Sequence, residues 1–283
     1  MPVRILVLGA SGRLGTMLQR HWCAADLHPV WQFRAAPAAS MRLGEGVVFD
    51  PLERLPGTDS VDLVLGLAGI VPGKGPVAFN TDLGLAAVRC AIALRACYVM
   101  LSSSAAVYGA PSAVLREEDR ACPLSAYGQS KLDMEDRALE LAARHGLPAT
   151  ALRIGNVAGA DALLAQPGSC RILDRFDSGY GPARSYIGPH GLSTVLQALM
   201  QKACSGMRLP ERLNVALRGS VAMADLCQAA GLEITWQPAP STAVETVELD
   251  VTRLTELVAV QDADASSIVA DWRADQQMRR DQG

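Results

Sequence analysis

Three polar residues, Ser104, Tyr127 and Lys131, have the types and spacing that proton transfer at a carbonyl or alcohol oxygen requires. Tyr127 and Lys131 are separated by one helical turn, so on a helix their side chains lie on one face. A phenol with a pKa of about 10 is a poor base at neutral pH, but a neighbouring ammonium and a positively charged nicotinamide stabilise the phenolate. We therefore predict Tyr127 as the general acid/base, Lys131 as its activating cation, and Ser104 as a hydrogen-bond partner of the reacting oxygen.

A Tyr-x-x-x-Lys pair also occurs on amphipathic surface helices, so a second motif is needed. Residues 9–15 read Gly-Ala-Ser-Gly-Arg-Leu-Gly between a predicted strand and a predicted helix. Gly9 permits a tight turn, Gly12 lets the backbone approach a pyrophosphate, and Gly15 lets the helix pack close to the sheet. The free N–H groups at the helix start then face the phosphates. The alternative is a strand-to-helix turn without a ligand.

The end of the second predicted strand bears on which dinucleotide binds. Many NAD-binding domains place an acid about 20 residues after the glycine turn, where it binds the ribose 2′-hydroxyl. Residues 32–34 carry no acid, and Arg34 with Arg13 can form a cationic clamp for a 2′-phosphate. This favours NADP over NAD, although both arginines can also be solvated surface residues. Asp50 either accepts a hydrogen bond from the adenine amino group or caps the following turn.

Strands and helices must alternate to position these motifs, and over residues 1–155 they do. Such alternation predicts βαβ units with a parallel sheet, and the continuous apolar strands indicate that helices cover both faces. The fold class is therefore α/β, with a Rossmann-type doubly wound parallel sheet. The predicted strands are 3–8, 29–33, 46–49, 61–67, 98–102 and 149–154, and the predicted helices are 13–24, 77–95 and 127–144.

After residue 155 the alternation is lost. We predict residues 1–155 to form the NAD(P)-binding domain and residues 156–283 a smaller α/β substrate-binding region, with residues 185–204 returning to the first domain. Residues 160–183 are rich in Gly, Pro and Ala, which predicts loops around a pocket. Later elements are a helix at 190–204, a strand at 213–217, a helix at 221–230, a linker at 238–241, and a last helix capped by Ser266.

Composition excludes several classes of function. The 283 residues carry a net charge of −3 with both signs dispersed, which argues against a nucleic-acid partner. No apolar run reaches the roughly 18–20 residues that a membrane span needs. The seven cysteines are widely spaced without a CxxC, which predicts no metal site and favours buried, reduced thiols in a cytoplasmic protein.

Further motifs match those of a known family in order. Besides the glycine turn, they are residues 67–69, Asn80, residues 102–109, 127–132 and 152–157, and more weakly 184–187, 214–216 and 249–254. With these motifs the chain resembles the extended short-chain dehydrogenase/reductase family, in its NAD-dependent epimerase/dehydratase branch. The resemblance implies bound NAD(P), a nucleotide-sugar substrate, and a homodimer formed through the helices at 77–95 and 127–144. Burial within one chain explains the apolar faces of those helices equally well.

The residue patterns and the resemblance together define a predicted site. The cofactor-binding residues are Gly9, Gly12, Arg13, Leu14, Gly15, Arg34, Asp50, Leu67, Ala68, Gly69, Asn80, Ser102, Tyr127 and Lys131, and the substrate-binding residues are Ser104, Asn156 and Arg184.

One departure from the family's pattern narrows the reaction. Sugar dehydratases of the family follow the active-site Ser or Thr with an Asp-Glu pair, whereas here Ala105 and Ala106 follow Ser104. We therefore expect an epimerase or reductase acting at a secondary alcohol or ketone, on a small molecule that the resemblance implies is a nucleotide sugar. The alternative is a non-catalytic NADP-binding regulatory protein of the same fold. Such proteins commonly lack the Tyr/Lys pair, which is present here.

Overall fold

A computed structural model describes residues 2–22, 27–36, 44–110 and 114–281. In these residues the strands are β1 (Val3–Leu8), β2 (Leu27–Phe33), β3 (Glu45–Val48), β4 (Leu63–Gly66), β5 (Tyr98–Ser104), β6 (Ala149–Ile154), β7 (Asn156–Val157), β8 (Cys170–Arg175), β9 (Ala183–Arg184), β10 (Tyr186–Ile187), β11 (Arg212–Val215), β12 (Val221–Ala222), β13 (Glu233–Pro238) and β14 (Thr246–Val247). The α-helices are α1 (Arg13–His21), α2 (Phe79–Ala93), α3 (Ala126–Arg144), α4 (Pro189–Cys204), α5 (Met223–Ala230), α6 (Thr252–Leu257) and α7 (Ala265–Asp281).

A central sheet of seven parallel strands has the order β11-β6-β5-β4-β1-β2-β3. The strand order reverses between β1 and β4, because β2 and β3 follow on one side of β1, whereas β4, β5 and β6 follow on the other. In open α/β sheets a ligand binds beyond the carboxyl ends of the strands at such a point. The predicted Rossmann-type parallel sheet is confirmed, and β1 and β6 have the predicted bounds.

Helices cover both faces of the sheet. On one face α1 and α4 bury Leu18 and Leu196 against β1 and β6, and on the other α2 and α3 bury Val88 and Ala138. Because helices cover both faces of the sheet, β1 does not alternate between apolar and polar residues. Its last four residues, 5–8, are all apolar and fully buried. The predicted helix at 13–24 begins as expected, and its last two residues lie outside the described part of the chain.

The C-terminal third departs most from the predictions. Residues 160–183 are not all loop, because β8 pairs in parallel with β13, a strand that also includes Pro238 of the predicted linker. The helix predicted at 221–230 begins at Met223, after the short strand β12. β11 joins the central sheet beside β6, and α6, which the sequence did not predict, buries Leu254 near it. The domain boundary itself stays a prediction.

The last helix, α7, packs on α1 and α4. Its fully buried Asp275 accepts two hydrogen bonds from Arg20, at 2.9 and 2.7 Å, and contacts His21 at 3.1 Å. Ser266 is not the N-cap of α7, because the Asp264 carboxylate accepts the Ser267 N–H at 2.7 Å. In the residues described, none of the helices is both long and apolar enough to cross a bilayer.

Candidate active site

The glycine turn after β1 has the geometry that its sequence predicts. Gly9 has φ +90°, a left-handed conformation that favours glycine. A Cβ on Gly15 would lie 2.4 Å from the Gly9 carbonyl oxygen, so only glycine lets α1 pack this close to the turn. The turn is also held by Gln32, whose side-chain oxygen accepts the Gly9 N–H at 3.0 Å. Sequence analysis did not assign this role to Gln32.

A cavity of about 620 Å³ lies beyond the carboxyl ends of β1, β2 and β4, where the strand order reverses. The predicted cofactor residues that line it are Gly9, Gly12, Arg34, Asp50, Leu67, Ala68 and Gly69. The residues that line it without having been predicted include Ser11, Gln32, Ile70, Lys74, Pro76 and Phe79. Gly12 is the N-cap of α1 and no side chain caps that helix, so its first N–H groups are available to an anion.

The charged residues around the cavity differ in whether their side chains line it or bond to other parts of the chain. Arg34 is exposed and lines the cavity, as does Lys74 from the loop after β4. Arg13 instead donates to the Ala160 carbonyl at 2.7 Å, so its part in a clamp stays a prediction. The Asp50 carboxylate accepts the Leu52 N–H at 2.9 Å, which confirms that Asp50 caps the turn. Asp50 also lines the cavity, and binding of adenine by this residue stays a prediction.

Asn80 on α2 supports the cavity wall. Its side-chain oxygen accepts the Ile70 N–H at 2.7 Å, and its amide donates to the Ile70 carbonyl and to Ser130, both at 3.0 Å. The residue is buried. Its hydrogen bonds therefore hold the loop after β4 in place and connect that loop to α3, and direct contact with a cofactor stays a prediction.

Local packing brings Tyr127 to Ser104. The first turn of α3 is capped by Ser125, whose Oγ accepts the Gly128 N–H at 3.0 Å. Gly128 packs on residues 105–107, a short 3-10 helix after β5, and a Cβ there would lie 2.3 Å from the Ala106 carbonyl oxygen. This close approach places the partly buried Tyr127 phenol beside the Ser104 hydroxyl.

The pKa of Tyr127 is raised above its usual value, because burial disfavours the phenolate more than the hydrogen bond with Ser104 favours it. The phenol is therefore protonated at neutral pH among the protein's own groups. The lowering expected from the sequence has to come from the positive charge of an oxidised nicotinamide. In this state Tyr127 can donate a proton more readily than accept one.

Lys131 connects this pair to the cavity. Its Nζ donates to the Ser102 carbonyl at 2.8 Å, and a Cβ on Gly69, which lines the cavity, would lie 3.2 Å from the same Nζ. Burial lowers the pKa of Lys131 to about 8, while the charge of Glu135 acts in the opposite direction. The ammonium is thus held at the cavity's edge, beside the strand end that carries Ser104.

A buried charge cluster lies directly behind Lys131. Glu135 is fully buried and accepts a hydrogen bond from Ser103. Its carboxylate also accepts three hydrogen bonds from Nε and Nη2 of Arg153, the shortest at 2.8 Å. Arg212 also donates to it, at 3.1 Å. This cluster was not predicted, although Arg153 is a charged residue within a mostly apolar predicted strand.

The two predicted substrate residues of the C-terminal region contact other parts of the chain. Asn156 lies beside the side chain of Tyr186, whose hydroxyl donates to Asp161 at 2.6 Å. The guanidinium of Arg184 donates to the backbone carbonyls of Ala183, Val244 and Glu245, at 2.7 to 2.8 Å. Substrate binding by Asn156 and Arg184 stays a prediction.

The donor set gives no sign of a metal centre. Across residues 2–22, 27–36, 44–110 and 114–281, His, Cys, Asp and Glu side chains form no group of three that could hold a metal ion. The groups that Tyr127, Lys131 and Ser104 bring to the edge of the glycine-lined cavity are a phenol, an ammonium and a hydroxyl.

Comparison with known proteins agrees with this geometry. Residues 5–176 match the model of the NAD dependent epimerase/dehydratase family, which covers more than half of the chain. The chain belongs to this family. It is 34% identical over 174 residues to a UDP-glucose 4-epimerase of Azospirillum brasilense and 33% identical over 174 residues to one of Corynebacterium glutamicum. Each alignment covers 56% of this chain and 50% or 52% of the relative, so the chain spans about half the length of the curated relatives it matches.

Solved structures of epimerases have the same fold along nearly the whole chain. A UDP-glucose 4-epimerase from Brucella ovis in complex with NAD superposes with a TM-score of 0.79 at 18% identity, covering 95% of this chain and 97% of that one. A UDP-galactose 4-epimerase superposes with a TM-score of 0.77 at 20% identity, covering 98% and 99%. At such identities the likeness establishes the fold and leaves the reaction to the site.

Proposed function

We propose that the chain is an NAD(P)-dependent epimerase or reductase acting at a secondary alcohol or ketone of a nucleotide sugar. The observation that carries this proposal is the placement of the Tyr127 phenol beside Ser104, one helical turn from a buried Lys131 at the edge of the cavity. The UDP-glucose 4-epimerases among its relatives support the nucleotide-sugar class.

The residues around the cavity fit a dinucleotide. Gly9 leaves no room for a side chain, since a Cβ there would lie 2.6 Å from the Ala68 nitrogen. Gly12 presents the uncapped start of α1, which suits a pyrophosphate. When bound, NAD(P) supplies the ring that accepts and returns a hydride at the substrate carbon.

The protein's own part in the reaction is proton transfer and orientation. Ser104 binds the substrate oxygen, and Tyr127 donates a proton to that oxygen or removes one from it. Lys131 holds its positive charge at the edge of the cavity, where its Nζ is fixed on the Ser102 carbonyl. Because burial raises the pKa of Tyr127, the phenol carries its proton in the resting protein.

Substitution of Tyr127 tests the proposal. Tyr127→Phe should lower turnover of nucleotide sugars such as UDP-glucose, UDP-galactose and their keto derivatives by at least about 10²-fold while NAD(P)H still binds. Tyr98→Phe is a matched control, because it removes a buried hydroxyl at the other end of β5, where it contacts Thr150 at 2.9 Å. Binding of the cofactor with turnover unaffected by Tyr127→Phe would exclude the acid/base role and favour the regulatory alternative.

For the cofactor we propose NADP, with Arg34 binding the 2′-phosphate. Arg34 is the exposed guanidinium that lines the cavity beyond β2, and Lys74 adds a second positive charge to the lining. Arg34→Ala should weaken NADPH binding by about 1–3 kcal/mol and leave NADH binding nearly unchanged. Arg54→Ala is the control, since Arg54 donates to the Val48 carbonyl at 2.7 Å and is not part of the lining. Equal losses for NADPH and NADH would refute the assignment.

The reaction type and the assembly need separate measurements. An epimerase regenerates its cofactor within each turnover, so NAD(H) retained through purification would indicate an epimerase, whereas an empty protein that binds NADPH would indicate a reductase. A homodimer through α2 and α3 stays a prediction that light scattering of the purified protein tests.

A further inference from the structure

Two cysteines far apart in sequence lie close together near the amino end of β5, whereas the candidate active site lies at its carboxyl end. Cys97 directly precedes β5, and Cys204 is the last residue of α4. Their sulfurs are 3.9 Å apart, although 107 positions separate them in the chain. Of the described cysteines, Cys90 and Cys227 are buried as the sequence predicts, but the prediction of buried thiols is wrong for Cys97, Cys122 and Cys170, which are exposed. Cys23 lies outside the described residues.

We propose that Cys97 and Cys204 form a reversible disulfide under oxidation, a modification site that links the central sheet to α4. A disulfide brings its sulfurs to about 2.05 Å. Rotation about χ1 at either cysteine moves its sulfur by a distance comparable to the remaining gap between the two sulfurs. The backbone around Cys97 is fixed by its N–H, which donates to the Asp62 carbonyl at 2.8 Å.

The surroundings of the two thiols indicate which of them reacts first with an oxidant. Cys97 is exposed and lines a surface cavity of about 300 Å³ together with Arg95 and His145, which gives an oxidant access. Cys204 is only partly exposed, and burial together with the adjacent Cys97 raises the pKa of its thiol to about 12. The first oxidation therefore takes place at Cys97.

The chemistry balances with a peroxide as the oxidant. Hydrogen peroxide takes two electrons from the Cys97 sulfur, which becomes a sulfenic acid as one water forms. The Cys204 sulfur then attacks that sulfur, the S–O bond breaks, and a second water leaves with the Cys204 proton. A dithiol returns both residues to thiols by exchange.

The link is separated from the catalytic residues. Cys97 and Ser104 lie at opposite ends of β5, and seven residues at about 3.3 Å each place them roughly 23 Å apart. Oxidation should therefore change stability rather than remove a catalytic group. Joining positions so distant in sequence restricts the unfolded chain strongly, which should raise the thermal midpoint by about 5–15 °C.

Peptide mapping of the full chain tests the proposal directly, because trypsin places each of the seven cysteines in a different peptide. Cys97 falls in residues 96–116 and Cys204 in 203–208. After mild peroxide treatment of dilute protein and alkylation of the remaining thiols, these two peptides should be found joined, about 2 Da lighter than their sum. Dithiothreitol should separate them and reverse the rise in thermal midpoint.

Exposed thiols elsewhere in the chain provide the controls. Cys122 and Cys170, in peptides 121–131 and 154–171, should remain alkylated under the same treatment. Cys97→Ser and Cys204→Ser should each abolish the joined peptide and the thermal shift. The proposal is overturned if Cys97 is oxidised to a sulfinic acid while Cys204 is still alkylated, or if the link forms only between two chains. The wild-type map decides the matter even where a variant folds poorly.

Discussion

Glu135 offers the sharpest test of how the site is held together. The residue is fully buried on α3, and its carboxylate is the counter-charge of Arg153, which is itself 2% exposed. Glu135 also accepts hydrogen bonds from Ser103 and Arg212. Glu135→Gln keeps the size and shape of the side chain but removes its charge. The guanidinium of Arg153 would then remain buried without a carboxylate partner.

The expected loss of stability follows from this burial. Removing one partner of a buried ion pair leaves an uncompensated charge and costs about 3–5 kcal/mol. Glu140→Gln on the same helix is the matched control, because Glu140 pairs with Arg144 at the surface, where the two side chains are 62% and 66% exposed. An exposed pair one helical turn apart contributes about 0.3–0.5 kcal/mol.

Urea denaturation, followed by far-ultraviolet circular dichroism and tryptophan fluorescence, measures both variants against the wild-type chain. We expect the urea concentration at the unfolding midpoint to be much lower for Glu135→Gln than for the wild type, and nearly unchanged for Glu140→Gln. The dependence of the unfolding free energy on urea concentration should be similar for all three proteins. If Glu135→Gln lost less than about 1 kcal/mol, the buried pair would not be a main support of the α3 packing, and the reasoning would be refuted.

Two further predictions concern Lys131 and Gly15. Burial depresses the pKa of Lys131 to about 8, so between that pH and its usual value the unfolded chain binds more protons than the folded one. The difference in free energy of unfolding between the wild type and Lys131→Met should therefore grow in favour of the wild type by about 2 kcal/mol from pH 8 to about pH 10. Urea denaturation of both proteins at several pH values measures this difference, and a difference that stays constant with pH would contradict the prediction. Gly15→Ala places a Cβ 2.4 Å from the Gly9 carbonyl oxygen, so it should destabilise the fold by about 1–3 kcal/mol and weaken dinucleotide binding, whereas Gly57→Ala, in open space, should do neither.

The first half of the fold could be predicted because each of its signals is local. β1 and β6 are mostly apolar segments, each with a single arginine, and the structure gives them the predicted bounds. Gly9 and Gly15 occur at the spacing of a strand-turn-helix unit, whose conformation depends on the few residues around it. Tyr127 and Lys131 are brought together by one helical turn, without any long-range contact.

The C-terminal region could not be predicted in the same way, because its elements are short and depend on distant partners. β8 pairs with β13, and Cys170 lies opposite Glu233 in their register. Neither strand has a buried face long enough to give an apolar pattern: β8 alternates exposed and buried residues, and Ile172 is 66% exposed. Cys97 and Cys204 meet for a similar reason, since only the finished sheet brings α4 back beside the start of β5.

The site residues themselves show why Glu135 belongs with them. Tyr127, Lys131 and Glu135 are spaced four residues apart on α3, which places them along one face of the helix. Each of the three faces one of the last three residues of β5: Tyr127 lies beside the Ser104 side chain, Lys131 donates to the Ser102 carbonyl, and Glu135 accepts from the Ser103 hydroxyl. The predicted acid/base pair and Glu135 thus belong to a single contact between α3 and β5. Loss of the charge at Glu135 should therefore lower turnover as well as stability, because the same contact that keeps Arg153 neutralised fixes the strand end against which Tyr127 is placed.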